Sequence, residues 1–197
     1  MHSYSCDKKS YRSVVVSIFV LSVIIAYGYH LLSEALEMSL PWYVESPSIF
    51  GVYGIIAWLY DCYLWKATIL GIRLSHVPNY GGVWQGVLVS SFDETKKISC
   101  TLKITQSWNR ILCTLSTDKS KSYSYAARID AGDGAMQGIR WLYSNTPAKG
   151  APREMRIHDG ATYGRINENG ELICEYFNCC RDRPTYGTIK LKKTPEL

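Results

Sequence analysis

Two periods run along the chain, and the change falls near Gly82. Positions 14–32, VVVSIFVLSVIIAYGYHLL, carry no formal charge, and at 1.5 Å per residue such a run crosses a hydrocarbon core roughly 30 Å thick. A second apolar run, 48–72, is interrupted by Asp61 and Lys66. Tyr27, Tyr29, Trp42, Tyr43, Trp58, Tyr60, Tyr63 and Trp65 crowd the ends of the two runs, as expected of rings seated among lipid headgroups. The pattern predicts two transmembrane helices, 14–33 and 48–72, with Lys66 snorkelling to one interface and Asp61 near it or facing the partner helix. A buried soluble helix is the alternative for the second run. A cleaved leader is the alternative for the first, because Lys8, Lys9 and Arg12 precede it.

Beyond Gly82 the period falls to two. Ile98, Cys100, Leu102, Ile104, Gln106 and Trp108 alternate with Ser99, Thr101, Lys103, Thr105 and Ser107, the signature of a half-buried strand. The same reading predicts strands near 83–90, 97–107, 110–116, 123–130, 138–144, 156–166, 171–178 and 188–193, with turn signals such as Asn169-Gly170 between them. Short strands of this number predict an all-β domain over 76–197, an antiparallel eight-stranded barrel; a two-sheet sandwich is the alternative. A barrel of that size holds side chains alone or one small ligand. Faces pairing Trp84 with Ser90, Tyr123 with Tyr125, Trp141 with Tyr143 and Tyr176 with Asn178 are expected inside, a lining that suits a planar, hydrogen-bonding guest better than a fatty acid.

Charge fixes the expected orientation. The connector 33–46 has Glu34, Glu37 and Glu45 and no lysine or arginine, whereas Lys8, Lys9 and Arg12 precede the first run and Arg73 follows the second. The positive-inside rule puts 1–13 in the cytosol, 34–47 outside as a short periplasmic loop, and 76–197 in the cytosol. Seven cysteines form no CxxC pair; reduced thiols, with Cys100, Cys113 and Cys174 packed as small apolar residues, fit that side of a membrane. Cys179-Cys180 lacks histidines at zinc spacing, so no metal site is expected. His2, His30, His76 and His158 accompany no placed nucleophile, and Gly132-Asp133-Gly134 matches no phosphate loop, so no enzyme is expected. The net charge is +5. Arg181 and Arg183, just before the last strand, stand out as guanidinium forks for phosphate oxygens; a basic surface facing an anionic leaflet is the competing use.

Two membrane helices, then PNYGGVWQGVL opening a strand-rich domain that closes on RPTYGTIKLKK, resemble the SMODS-associating two-transmembrane, β-strand-rich effectors of bacterial antiphage (CBASS) signalling. The resemblance rests on the order of parts, on Gly82, Trp84 and Gly86, and on the stretch from Arg183 to Gly187. It implies a cytosolic barrel that binds a cyclic dinucleotide made by a companion nucleotidyltransferase, assembles with further copies of itself in the inner membrane, breaches the lipid bilayer and kills the infected cell. No cofactor and no DNA or RNA partner is implied. Trp84, Tyr125, Trp141 and Tyr143 are then expected to stack on bases, Ser90, Thr101 and Asn178 to read their edges, and Arg181 and Arg183 to meet phosphate. Beside Trp84, Gly86 is expected to leave room for another side chain or for a flat ligand. The alternatives are a membrane-anchored barrel carrying a lipid or other apolar ligand, and a scaffold that recruits a partner through a sheet edge.

Overall fold

The period-two stretches fold as β4 (Gly82–Ser90), β5 (Asp93–Gln106), β6 (Arg110–Ser116), β7 (Ser120–Asp130), β8 (Gly138–Pro147), β9 (His158–Ile166), β10 (Leu172–Asn178) and β11 (Tyr186–Lys193). In this computed structural model, which describes residues 1–6, 8–37, 49–69, 71–131, 137–151, 156–179 and 184–195, each strand pairs antiparallel with the next and β11 returns to β4. The ring is a closed barrel, not a sandwich. The alternation read in β5 holds: Cys100, Leu102, Ile104 and Gln106 are buried inside, with Ile111, Ile139, Leu172, Cys174 and Leu191. At Gly86 an added Cβ would lie 1.9 Å from the Lys190 carbonyl oxygen. The backbone of β11, and neither a side chain nor a ligand, occupies the room the glycine leaves.

One strand of the barrel is missing from the sequence reading. His2–Ser5, expected as part of a cytosolic flank, is strand β1 of the barrel. Strands β6 and β7 pair directly only from Thr114↔Tyr123 to Ser116↔Lys121; below that they part, and β1 fills the gap, antiparallel to β6 at His2↔Ile111 and parallel to β7 at Tyr4↔Ala127. The parting starts at a register shift between Ser124 and Ala126. There the Ser124 hydroxyl accepts the Cys113 N–H at 2.8 Å and lies 2.8 Å from the His2 ring nitrogen Nε2. Further down, the Tyr4 hydroxyl donates to the Trp108 carbonyl at 2.7 Å. Serines at 122 and 124 take the inner positions of β7. Tyr123 and Tyr125 therefore point outward, against expectation.

The two ends of the barrel differ. Strands β5, β7 and β9 finish at the same end as Ser5 and Gly82. This end is sealed: the Gln106 amide donates to the Pro78 carbonyl at 3.0 Å and accepts the Tyr80 N–H at 2.8 Å, while Trp84 Nε1 donates to the Tyr80 carbonyl at 2.9 Å. The other end, where β4, β6, β8 and β10 finish, is an open mouth. Barrel residues form one compact unit, Met1–Cys6 with Val77–Leu197, and Asp7–His76 form another. Both covalent links between the units thus leave the barrel from the sealed end.

In the second unit α1 spans Lys8–Ala35, of which the 25 residues Tyr11–Ala35 are long and apolar enough to cross a membrane. Most of that stretch is exposed, Ile24 and Tyr27 included, unlike the core helix of a soluble protein. The run 48–72 is not one helix, contrary to expectation. Helix α2 covers Ile49–Cys62, 14 residues and hence about 21 Å; a 3₁₀ turn at Leu64–Lys66 and a small hairpin of β2 (Thr68–Ile69) and β3 (Ile72–Arg73) follow. Gly71, at φ 81°, permits that reversal, and the Tyr60 hydroxyl, donating to the Leu74 carbonyl at 2.7 Å, ties the hairpin back to α2. The rings of Phe19 in α1 and Tyr53 in α2 meet edge to face with centroids 6.5 Å apart. Trp42, Tyr43 and Glu45 lie outside the described residues.

The core thiols give a direct test of the closed interior. Burial pushes the Cys100 and Cys113 thiols up to about 11 and about 12, and that of Cys174 higher still, whereas Cys179 is exposed. Since the thiolate is the nucleophile, iodoacetamide at pH 8 is expected to alkylate Cys179 in the native protein and to reach Cys100, Cys113 and Cys174 only after denaturation, as read by peptide mass spectrometry. Comparable labelling of the core thiols in the native state would contradict a closed barrel.

Candidate ligand-binding site

The mouth holds a cavity of about 430 Å³. Its walls come from the upper inner positions of the strands: Leu88 and Ser90 on β4, Ile98 on β5, Leu115 on β6, Ser122 on β7, Trp141, Tyr143 and Asn145 on β8, Thr162 on β9, Tyr176 and Asn178 on β10. Alternation puts Ile98, Leu115, Trp141, Tyr143, Tyr176 and Asn178 there, each two or four residues along from a fully buried core residue of the same strand. Below, the barrel is filled with Leu102, Ile111, Ile139 and Leu172; above, the inner residues turn polar. Apolar floor and polar wall together make a short cup.

The polar groups are held by one another. Tyr176 is hydrogen-bonded to Ser90, and burial, partly offset by that bond, raises its phenol. Burial raises the Tyr143 phenol further, with smaller contributions from Tyr176 and Cys179. Both stay neutral at physiological pH and can donate or accept. An added Cβ at Gly160 would lie 2.4 Å from the Tyr143 hydroxyl, so this glycine is what lets that ring stand in the wall. The Asn178 amide donates to the Thr185 hydroxyl at 2.6 Å and its oxygen accepts the Thr185 N–H at 2.9 Å. Asn178 braces the end of β10 against the approach to β11. Arg156, Lys119 and His158 bring basic groups to the rim, with Asp118 opposing them.

Of the residues expected to bind ligand, Ser90, Trp141, Tyr143 and Asn178 come together in this cavity. Three do not. Trp84 is 2% exposed and belongs to the sealed end, where Lys193 Nζ lies 5.7 Å from its ring centroid. Tyr125, 51% exposed, is on the outer face. Thr101 sits between the inward Cys100 and Leu102, so alternation turns it outward, in register with Gln85 and Ser116. Arg181 and Arg183 lie outside the described residues, in the connector whose two ends, Asn178 and Thr185, stand at the rim. Asn145, Ser122, Thr162, Tyr176, Arg156 and His158 were absent from the expected set. Extending the alternation of Trp141 and Tyr143 past Ser144, where the predicted strand stops, reaches Asn145.

A second, larger concavity of about 1110 Å³ runs along the outer face of β7 to β11. It has the greater volume, but its sides are exposed outer positions of the sheet. The mouth, enclosed by the strands and lined with polar groups from β4, β7, β8, β9 and β10, is the better receptor geometry.

Fold and site together define a small-barrel receptor for a polar ligand, attached to a segment in which, among the described residues, one helix is fit to anchor it in a membrane. The chain belongs to the Cap15 cyclic dinucleotide receptor domain family, whose model matches residues 75–193. It is also similar to CD-NTase-associated protein 15 of Yersinia aleksiciae, 28% identical over 144 residues that cover 73% of this chain and 68% of that protein.

Proposed function

We propose that the mouth binds a cyclic dinucleotide and that binding drives assembly and membrane damage in antiphage (CBASS) defence. The observation that carries the reading is the cup itself: a cavity of about 430 Å³ with Trp141, Tyr143 and Tyr176 beside Ser122, Asn145 and Thr162, in a domain of a cyclic dinucleotide receptor family. Aromatic faces stack on bases at about 1 to 3 kcal/mol each, and the hydroxyls and amides match base edges. The two phosphodiester charges are met from the rim by Arg156 and Lys119 and from the connector by Arg181 and Arg183. An acyl chain would leave those wall groups without partners, which disfavours the carrier alternative.

The barrel also bears on how the chain crosses the membrane. β1 precedes α1 and β4 follows β3, yet both are strands of one barrel, so the chain between them crosses a bilayer an even number of times. This supports a paired crossing with both termini cytoplasmic, in which α1 goes out and the segment containing the short α2 returns. It also speaks against a cleaved leader, since cleavage would detach a barrel strand. Ligand shifts the balance between resting and assembled states by its difference in affinity for them, and confinement in the bilayer raises the effective concentration of copies.

Isothermal titration of the full-length chain in nanodiscs with cyclic di-AMP, cyclic di-GMP and the mixed adenine–guanine dinucleotide is expected to give heat for at least one. The same ligand is expected to release dye from vesicles carrying the protein. A co-purified acyl chain seen by native mass spectrometry, with no heat from any dinucleotide, would overturn the reading.

A further inference from the structure

The outer concavity has a symmetry that the mouth does not use. Across β8, β9 and β10 the register aligns Leu142, Ala161 and Phe177 in one outer row, and Arg140, Tyr163 and Glu175 in the next row toward the sealed end. In both rows the β9 residue stands between complementary neighbours: a leucine and a phenylalanine flank an alanine, an arginine and a glutamate flank a tyrosine. Leu142 is 43% and Phe177 56% exposed. Arg140 is oriented by its neighbours, with its guanidinium carbon 4.8 Å from the Tyr163 ring centroid and a hydrogen bond to the Asp130 carboxylate.

We propose that this face is the contact between two copies of the chain, related by a two-fold axis that lies in the interface along β9. Such an axis lays β8 of one copy over β10 of the other. Leu142 then meets Phe177 and Arg140 meets Glu175, while on the axis itself Ala161 faces Ala161 and Tyr163 faces Tyr163. Each of the two off-axis contacts occurs twice, as an isologous interface requires.

The direction of the axis matters as much as the pairing. Rotation about β9 preserves strand direction, so both copies present their sealed ends, and both their links to the membrane segment, on the same side. Two copies anchored in one bilayer must satisfy that condition. A two-fold axis across the strands would turn one barrel over and is excluded. The inference rests on the reading that the chain acts as a membrane assembly, and it assigns that assembly a surface.

The test uses two differently tagged full-length chains co-expressed and purified in nanodiscs, with and without the three dinucleotide probes. Glu175→Arg alone puts arginine against arginine at both contacts, and Arg140→Glu alone puts glutamate against glutamate. Each is expected to lower like-with-like pairing at least about tenfold, since juxtaposed like charges are costly. Co-expression of the two variants restores arginine–glutamate at both contacts, and mixed pairs are expected to recover to near the wild-type level. Because Arg140→Glu also loses the Asp130 contact, Phe177→Arg serves as a second variant; it is expected to lose pairing with its thermal midpoint unchanged and ligand binding retained. Mixed pairs no more abundant than like pairs, or Phe177→Arg chains that pair as wild type, would overturn the interface while leaving ligand-driven assembly standing. Phospholipid retained in the groove with pairing insensitive to Glu175→Arg overturns it too. A wild-type chain that binds a probe and stays single overturns both the interface and the reading beneath it.

Discussion

A chain lacking His2–Ser5 is expected to melt about 10 °C below the full-length protein and to aggregate through its barrel. The deletion removes the Tyr4 hydroxyl bond to the Trp108 carbonyl, the His2 contact at Ser124, and the backbone pairing to Ile111, Arg110, Ala127 and Arg128. Each lost hydrogen bond costs about 1 kcal/mol net, and Tyr4 packs against the core cluster. A total of about 3 kcal/mol corresponds to roughly 10 °C in a domain of this size. What remains is a barrel with two unpaired strand edges facing each other, a template for pairing between molecules. The same expectation applies to a fragment starting at His76, and a peptide carrying residues 1–6 added in trans is expected to recover part of the midpoint. Differential scanning fluorimetry with light scattering reads both effects; a His76 fragment as stable and monodisperse as the full chain would show that β1 contributes nothing to closure.

Arg156→Glu is expected to weaken cyclic dinucleotide binding about tenfold at low salt. Arg156 stands exposed at the rim, and the reversal changes two charge units facing a ligand that carries two negative charges. At about 8 Å and water-like dielectric that is on the order of 1 to 2 kcal/mol. Exposure means the loss is screened, so the ratio of affinities is expected to shrink as salt rises to 0.5 M. Lys103→Glu is the control, with the same charge change on the outer side of β5, exposed and away from the mouth. Equal losses in both variants would assign the effect to overall charge and not to a rim contact.

How far the sequence could be read depends on what each residue answers to. Strands whose inner face is mostly apolar, such as β5, were legible to within a few residues, because burial on one side imposes a strict period of two. The first half of β7 was not: its inner positions are Ser122 and Ser124, at the seam with β6 and β1, and its tyrosines lie outside, so hydrophobicity gives the face inverted there. Trp84 misled for a related reason. A tryptophan beside glycines suits a ligand pocket or a plug equally well, and only the Tyr80 carbonyl and the Gly86 contact with Lys190 decide for the plug. In the second apolar run, composition carries the apolar character but not the break after Cys62, which depends on a left-handed Gly71 and on Tyr60 reaching Leu74. β1 was illegible because four residues are too few to show a period, and its partners are more than a hundred positions away.

Placing β1 ahead of the membrane segment makes the barrel a check on its own biogenesis. The first strand leaves the ribosome before the apolar helices and has nothing to pair with until β6 and β7 have been made, long after α1, the helix fit to cross a membrane, has emerged. A chain threaded with its flanks on opposite sides strands β1 across the lipid and leaves the seam open for good. Receptor competence is thus withheld until the segment between β1 and β4 has brought the chain back to the side it left.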